Sequence, residues 1–188
     1  MTSFYTDKEL TLLGFESFGD NVLISRKCSI YGASTINIGS NVRIDDFCIL
    51  SGNLNIGSNI HIASFCGLFG SKGIILHDFS GLSSRVTIYS ESDDYMGKGL
   101  TSPVIPNKYR IVNGSVVEIE KHALVGSGAL ILPGGNLKEG SVLGAMSLLK
   151  TTTESWYIYA GVPAVRLKRR EKEVIINYEK DFLDETNN

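Results

Sequence analysis

Apolar residues return at every sixth position along most of this chain. One run reads Ile38, Ile44, Leu50, Ile56, Ile62, Leu68 and Ile74, after which the frame slips by two to Leu76, Leu82 and Ile88. The run resumes with Ile119, Val125, Ile131, Leu137, Leu143 and Leu149, and an earlier stretch supplies Phe18, Ile24, Ile30 and Ile36. A helix face repeats at three and four residues, and a half-buried strand at two. A period of six fits neither. It predicts an all-β chain wound as a parallel β-helix, each hexapeptide giving a short strand and a turn. Three hexapeptides close one triangular coil, so each inward side chain stacks on its equivalent 18 residues on, Ile38 under Ile56 and Ile44 under Ile62. No coil buries its apolar face alone; stacking supplies the core. About 17 hexapeptides are legible, or roughly six coils.

Neighbouring positions agree with this register. The residue two before the apolar one is small or aliphatic, as in Val22, Cys28, Val42, Cys48, Ile60, Cys66, Ala123 and Ala129, and forms a second inward position. Asparagine recurs in the turns Gly39-Ser40-Asn41 and Gly57-Ser58-Asn59, where a positive φ is tolerated.

The repeat divides the chain. Residues 1–17 read as a lead-in, with a short helix to cap the open end of the core. Residues 18–150 form the β-helix, interrupted by a loop over 91–117 that holds two prolines, Tyr95, Tyr109 and the pair Asp93-Asp94. A loop of this length inside a tight solenoid points to function. Residues 151–188 hold Trp156-Tyr157, the turn Ala160-Gly161-Val162-Pro163-Ala164, and an amphipathic helix expected from Val165 to Leu183.

Composition narrows the functions. With 188 residues, 43% of them hydrophobic, the chain supports one domain with a continuous core. A net charge of −2 gives a nucleic-acid partner no electrostatic basis. No stretch approaches a membrane span, and the first residues lack a basic, then apolar, leader, so a cytoplasmic location is expected. The three cysteines share the small inward position and read as buried thiols.

The hexapeptides, the long loop and the closing Gly161-x-Pro163-Ala164 turn together resemble the hexapeptide-repeat acetyltransferases over roughly residues 18–170. The resemblance implies a left-handed β-helix, a homotrimer with active sites between subunits, and acetyl-CoA as co-substrate. It implies an acceptor hydroxyl on a sugar, as in surface-polysaccharide synthesis, with an amine of a nucleotide-linked amino sugar as the alternative. It places Gly126, Ser127, Gly144, Ala145, Lys150 and Thr151 along the cofactor. Arg166 and Arg169, within a basic cluster, suit its phosphates. Tyr95 and Tyr109 are candidates for stacking on the acceptor.

One departure bears on mechanism. The family carries a histidine early in the loop as general base; this chain has Asp93 there, followed by Asp94. An aspartate is a weaker base by more than two pKa units, about 3.9 against about 6.5. Repulsion from Asp94 would raise Asp93 toward use as a base. An amine acceptor would need less of a base than a hydroxyl. Among the histidines, His77 could face an intersubunit groove below the loop, His122 reads as a solvated turn residue, and His61 is a weaker candidate. A zinc site would require all three to converge, and their phases in the repeat differ; no metal is expected. An ice-binding or scaffold role would show a threonine ladder on a flat face, which this chain lacks.

Overall fold

The hexapeptides coil as their spacing requires. In a computed structural model that describes residues 3–186, the chain is a left-handed parallel β-helix with three walls. The first wall stacks Val22–Ile24, Val42–Ile44, Ile60–Ile62, Gly81–Leu82, Leu124–Val125, Val142–Leu143 and Tyr157–Gly161 in parallel. This wall carries seven rungs where about six coils were expected, because the aromatic segment after Lys150 completes one more. The second wall holds Ser29–Tyr31, Thr87–Tyr89, Leu130–Ile131 and Leu148–Leu149, and the third holds Ile36–Ile38 and Val117–Ile119. The long strands Ile49–Ile56 and Gly67–Leu76 run through both of these walls.

Ile38 pairs with Ile56 and Ile44 with Ile62, the expected offset. The slip of two is absorbed at one corner: Gly52 pairs with Gly70 while Leu54 pairs with Ile74, and Leu76 stays in register with Ile56. The inward column Ile24, Ile44, Ile62, Leu82, Val125, Leu143 is essentially without solvent contact. Cys48 and Cys66 are buried and Cys28 partly so, each thiol donating to a carbonyl of the next coil. The neighbouring Cys48 thiol, then burial, pushes the Cys66 thiol above its ordinary value.

The corners need left-handed backbone. Asn21, Asn41 and Asn59 occupy one corner at positive φ, and their amides bond in a ladder at 3.0 and 3.2 Å. Asparagine enters this region at small cost. Phe79, His122 and Trp156 continue the same corner upward.

Helix α1, Asp7–Leu13, closes the first coil. Thr6 and Glu9 form a capping box, and Leu10 is fully buried. At the other end the expectation of a helix from Val165 is corrected. Ala164–Arg169 is a strand pairing antiparallel with Tyr157–Gly161 around a cis Val162–Pro163 bond. The exposed edge of the last rung offers backbone partners, which override helical spacing in this segment. Helix α2 begins only at Glu173 and runs to Thr186.

Ile62 has no exposed surface and pairs with Ile44 below, with Leu82 above. Ile62→Ala is expected to cost about 2–5 kcal/mol of unfolding free energy. Leu12→Ala, at a residue 86% exposed, should stay within about 0.5 kcal/mol. Chemical denaturation of both variants checks this.

Candidate active site

The loop leaves the solenoid after Tyr89 as a two-stranded stem. Glu91–Asp93 pairs antiparallel with Val112–Gly114. Buried Ser90 fixes the base of this stem: its hydroxyl donates to the Phe69 carbonyl and accepts from the Lys72 amide. The two aspartates that follow are held differently. Asp93 accepts from Arg110 Nη2 at 2.9 Å and from the Ser102 amide at 3.1 Å. Asp94 accepts from the amides of Met96 and Lys98 at 3.1 and 2.6 Å. Among the described residues Asp94 has no cationic partner, although it is only 6% exposed.

This corrects the expectation for Asp93. The Arg110 guanidinium, helped by the Ser102 amide, holds its carboxyl below the usual carboxylate range. An ion-paired carboxyl with a lowered pKa suits loop anchoring better than proton abstraction.

A cavity of about 500 Å³ lies between the stem and the second wall, lined by Tyr89, Asp93, Asp94, Tyr95, Leu130 and Leu132 among others. A second hollow of about 410 Å³ shares the aspartates and adds Met96, Asn113, Pro133 and Lys150. These volumes suit small-molecule sites. Asp94 is thus a buried, uncompensated carboxylate on a cavity wall, a natural acceptor for the N–H of an amine. Tyr95, 91% exposed, stands at the rim. Tyr109 lines neither hollow; Lys108 lies over its ring.

The residues expected along a cofactor separate into groups. Ser127 lines a groove of about 340 Å³ with His61, Gly81, Ser83, Ser84 and Leu124. Gly126 and Gly144 owe their size to coil stacking: a Cβ on Gly126 would lie 2.5 Å from the Ala145 amide nitrogen, and one on Gly144 2.9 Å from Ala160 Cβ. Close ligand approach is therefore not needed to explain either glycine. Ala145 and Thr151 are exposed at corners. Lys150 faces the aspartate hollow rather than the Ser127 groove. Arg166 pairs with Glu154 through two bonds of 2.7 and 2.9 Å, and Arg169 donates to the Tyr157 hydroxyl, so both brace the terminal hairpin.

The histidines do not converge. His61 bonds Asp45 at 2.8 Å, His77 bonds Glu118 at 2.6 Å, and His122 bonds Glu179 at 2.8 Å. His77 lines neither aspartate hollow. The reading of His122 as solvated is corrected: it is 6% exposed, stacked on Phe79 and covered by α2. Burial would raise the Glu179 carboxyl, but hydrogen bonds from Lys121 and His122 overcome it and hold it below its usual range.

Sequence reasoning missed Arg110, Ser84, Tyr89 and Leu132. Tyr89 follows inward Ile88, so its outward direction was readable from strand alternation. Arg110 is brought to Asp93 only by the folded loop.

Asp93 contributes stability in full above its unfolded value of about 3.9 and loses it as pH falls through its lower folded value. Arg110→Ala is expected to speed amide exchange across residues 93–111 at neutral pH. The difference from the parent chain should shrink as the pH drops well below 3.9, read by hydrogen-exchange mass spectrometry at matched intrinsic rates.

Comparison with known proteins follows the same lines. No protein-family model matches the chain. A dTDP-4-amino-4,6-dideoxy-D-glucose acyltransferase from Escherichia coli is 39% identical over 175 residues, 91% of each chain. AntD, an N-acyltransferase from Bacillus cereus solved with dTDP and 3-hydroxybutyryl-CoA, is 46% identical over the whole of both chains with a TM-score of 0.96. A maltose O-acetyltransferase from Clostridium difficile is 20% identical over 88% of this chain and 75% of its own, with a TM-score of 0.57, a likeness of fold alone. The chain therefore belongs to the hexapeptide-repeat acyltransferases and uses acyl-CoA as its co-substrate.

Proposed function

We propose that this enzyme acylates the 4-amino group of a dTDP-linked 4-amino-4,6-dideoxyhexose. The observation that carries this reading is Asp94, a buried carboxylate without a cation among the described residues, on the wall of the loop cavity. An amine adds an N–H donor and, when protonated, the positive charge that the Met96 and Lys98 amides do not bring. The E. coli relative acts on the same class of acceptor, and a mutant of AntD has been solved with dTDP-4-amino-4,6-dideoxyglucose and coenzyme A. These points favour the amine over the sugar hydroxyl, the main expectation from the family resemblance.

The chemistry needs little from the protein as a base. The amine nitrogen attacks the thioester carbonyl, the new C–N bond forms and the C–S bond breaks. The departing thiolate, whose thiol has a value near 8.5 by analogy with cysteine, can take the proton that nitrogen loses. The role left to Asp94 is to orient the amine and keep its lone pair on the carbonyl. The Ser84–Ser127 groove lies at a different corner of the prism from the loop cavity. A homotrimer that sets one chain's groove against its neighbour's loop would unite them. No helix among the described residues is long and apolar enough to cross a membrane, and we place the reaction in the cytoplasm.

Release of free CoA thiol, followed with dTDP-4-amino-4,6-dideoxyglucose and with its 4-hydroxyl counterpart, tests the proposal. The amine is expected to turn over and the hydroxyl not; equal rates would overturn the amine reading. Asp94→Asn should lower kcat/KM roughly 10-fold or more, the worth of a hydrogen bond to a charged group, with CoA affinity unchanged. A variant as fast as the parent would remove Asp94 from the role.

A further inference from the structure

The outward side of the second wall carries an ordered aromatic pair beside the loop cavity. Phe69 and Tyr89 sit at paired positions on adjacent coils, and their rings stack with centroids 4.8 Å apart and planes within 9°. The pair is seated by Gly67, where a Cβ would come 2.8 Å from the Phe69 ring edge. Glycine there lets that ring lie back along its own strand. Phe69 covers one side of Tyr89; Tyr89 keeps 38% of its surface exposed and lines the cavity that holds Asp94. A ring held this way loses little freedom when a ligand stacks on it.

The rest of that end of the cavity is apolar or neutralised. Leu130 and Leu132 line the same cavity, and the nearby Glu91 carboxylate is paired with Lys72 at 3.2 Å. A diphosphate finds no free cation among these residues, whereas a flat, uncharged heteroaromatic ring finds a π face with aliphatic flanks. Tyr89 and Asp94 are five steps apart along the chain, a reach of up to about 17 Å when extended. That is room for a nucleotide sugar lying with its base at one end and its amine at the other.

We infer that the Tyr89 ring, backed by Phe69 and Gly67, is the stacking platform for the pyrimidine base of the acceptor nucleotide. This rests on the nucleotide-sugar reading above and adds what that reading lacks, the group that recognises the base. Base–aromatic stacking depends on the ring and not on the phenol hydroxyl.

The test is calorimetric binding of dTDP alone, which lacks the aminohexose, with CoA binding and melting temperature measured on each variant. Tyr89→Leu and Tyr89→Ala are expected to weaken dTDP about 10-fold or more, and Tyr89→Phe by less than about twofold. CoA affinity should be unchanged throughout. Tyr89→Leu keeps bulk without a π face, so it separates stacking from wall collapse. Parent-like dTDP affinity in Tyr89→Leu would overturn the inference, as would Tyr89→Phe falling as far as Tyr89→Ala. So would an unchanged dTDP affinity accompanied by a raised KM for the aminohexose nucleotide, which would put the ring under the pyranose. If the parent enzyme itself neither bound dTDP nor acylated the amino sugar, the function proposed above would fall first. Turnover by the parent with unaltered Tyr89 variants would sink only the platform.

Discussion

Every feature of this molecule depends on one contact: an inward aliphatic side chain resting on its equivalent in the next coil, about 4.8 Å away. Ile24, Ile44, Ile62, Leu82, Val125 and Leu143 form one such column. Because backbone bonds between coils run parallel to these columns, the outward side chains are stacked in register too. Outward positions therefore become ladders: asparagine amides at one corner, the Phe69–Tyr89 pair on one wall, Phe47 on Phe65 at another corner. A chain that stacks coils builds flat surfaces of repeating chemistry without designing each position separately. The site is made where that repetition is broken.

The break is the loop, and its chemistry turns on how two adjacent carboxylates are partnered. Asp93 and Asp94 follow one another in sequence, yet alternation along the stem sends them to different surroundings. Asp93 meets Arg110 and becomes a structural anion that ties the two arms of the loop together. Asp94 receives only backbone amides and faces the cavity. Amides satisfy a carboxylate's lone pairs but bring no full opposite charge, so it retains an appetite for a cationic or N–H-rich ligand. The division of labour between anchor and ligand group is thus set by a single arginine 17 residues away.

The last coils answer a different problem. A solenoid ends in an exposed rung whose apolar face and strand edge both need cover. The chain folds Ala164–Arg169 back along that edge and then sends α2 down over the aromatic corner. Phe182 meets Phe79 edge-on, and Glu179 joins Lys121 and His122. Arg170 donates to the carbonyls of His122 and Gly140, filling corner acceptors the helix leaves open. The corner that begins as an asparagine ladder ends as a packed aromatic stack because there a helix lies upon it.

By itself the sequence determined the period, and with it the coil, the inward columns, the place of the interruption and the family. Those depend on residue type at a regular spacing, and the pairings of Ile38 with Ile56 and Ile44 with Ile62 could be written before any coordinates. Asp93, Asp94 and Tyr95 were legible as candidates because they lie inside the interruption. Their roles were not. Which aspartate is neutralised depends on Arg110, which of Lys150 and Ser127 shares a hollow with them depends on the corner each occupies, and the burial of His122 depends on a helix some fifty residues later. The strand over Ala164–Arg169, too, exists only because a free edge was waiting beside it. Local spacing encodes repetition, whereas charge pairing, burial and edge capping join residues distant in sequence, and only the closed fold decides who meets whom.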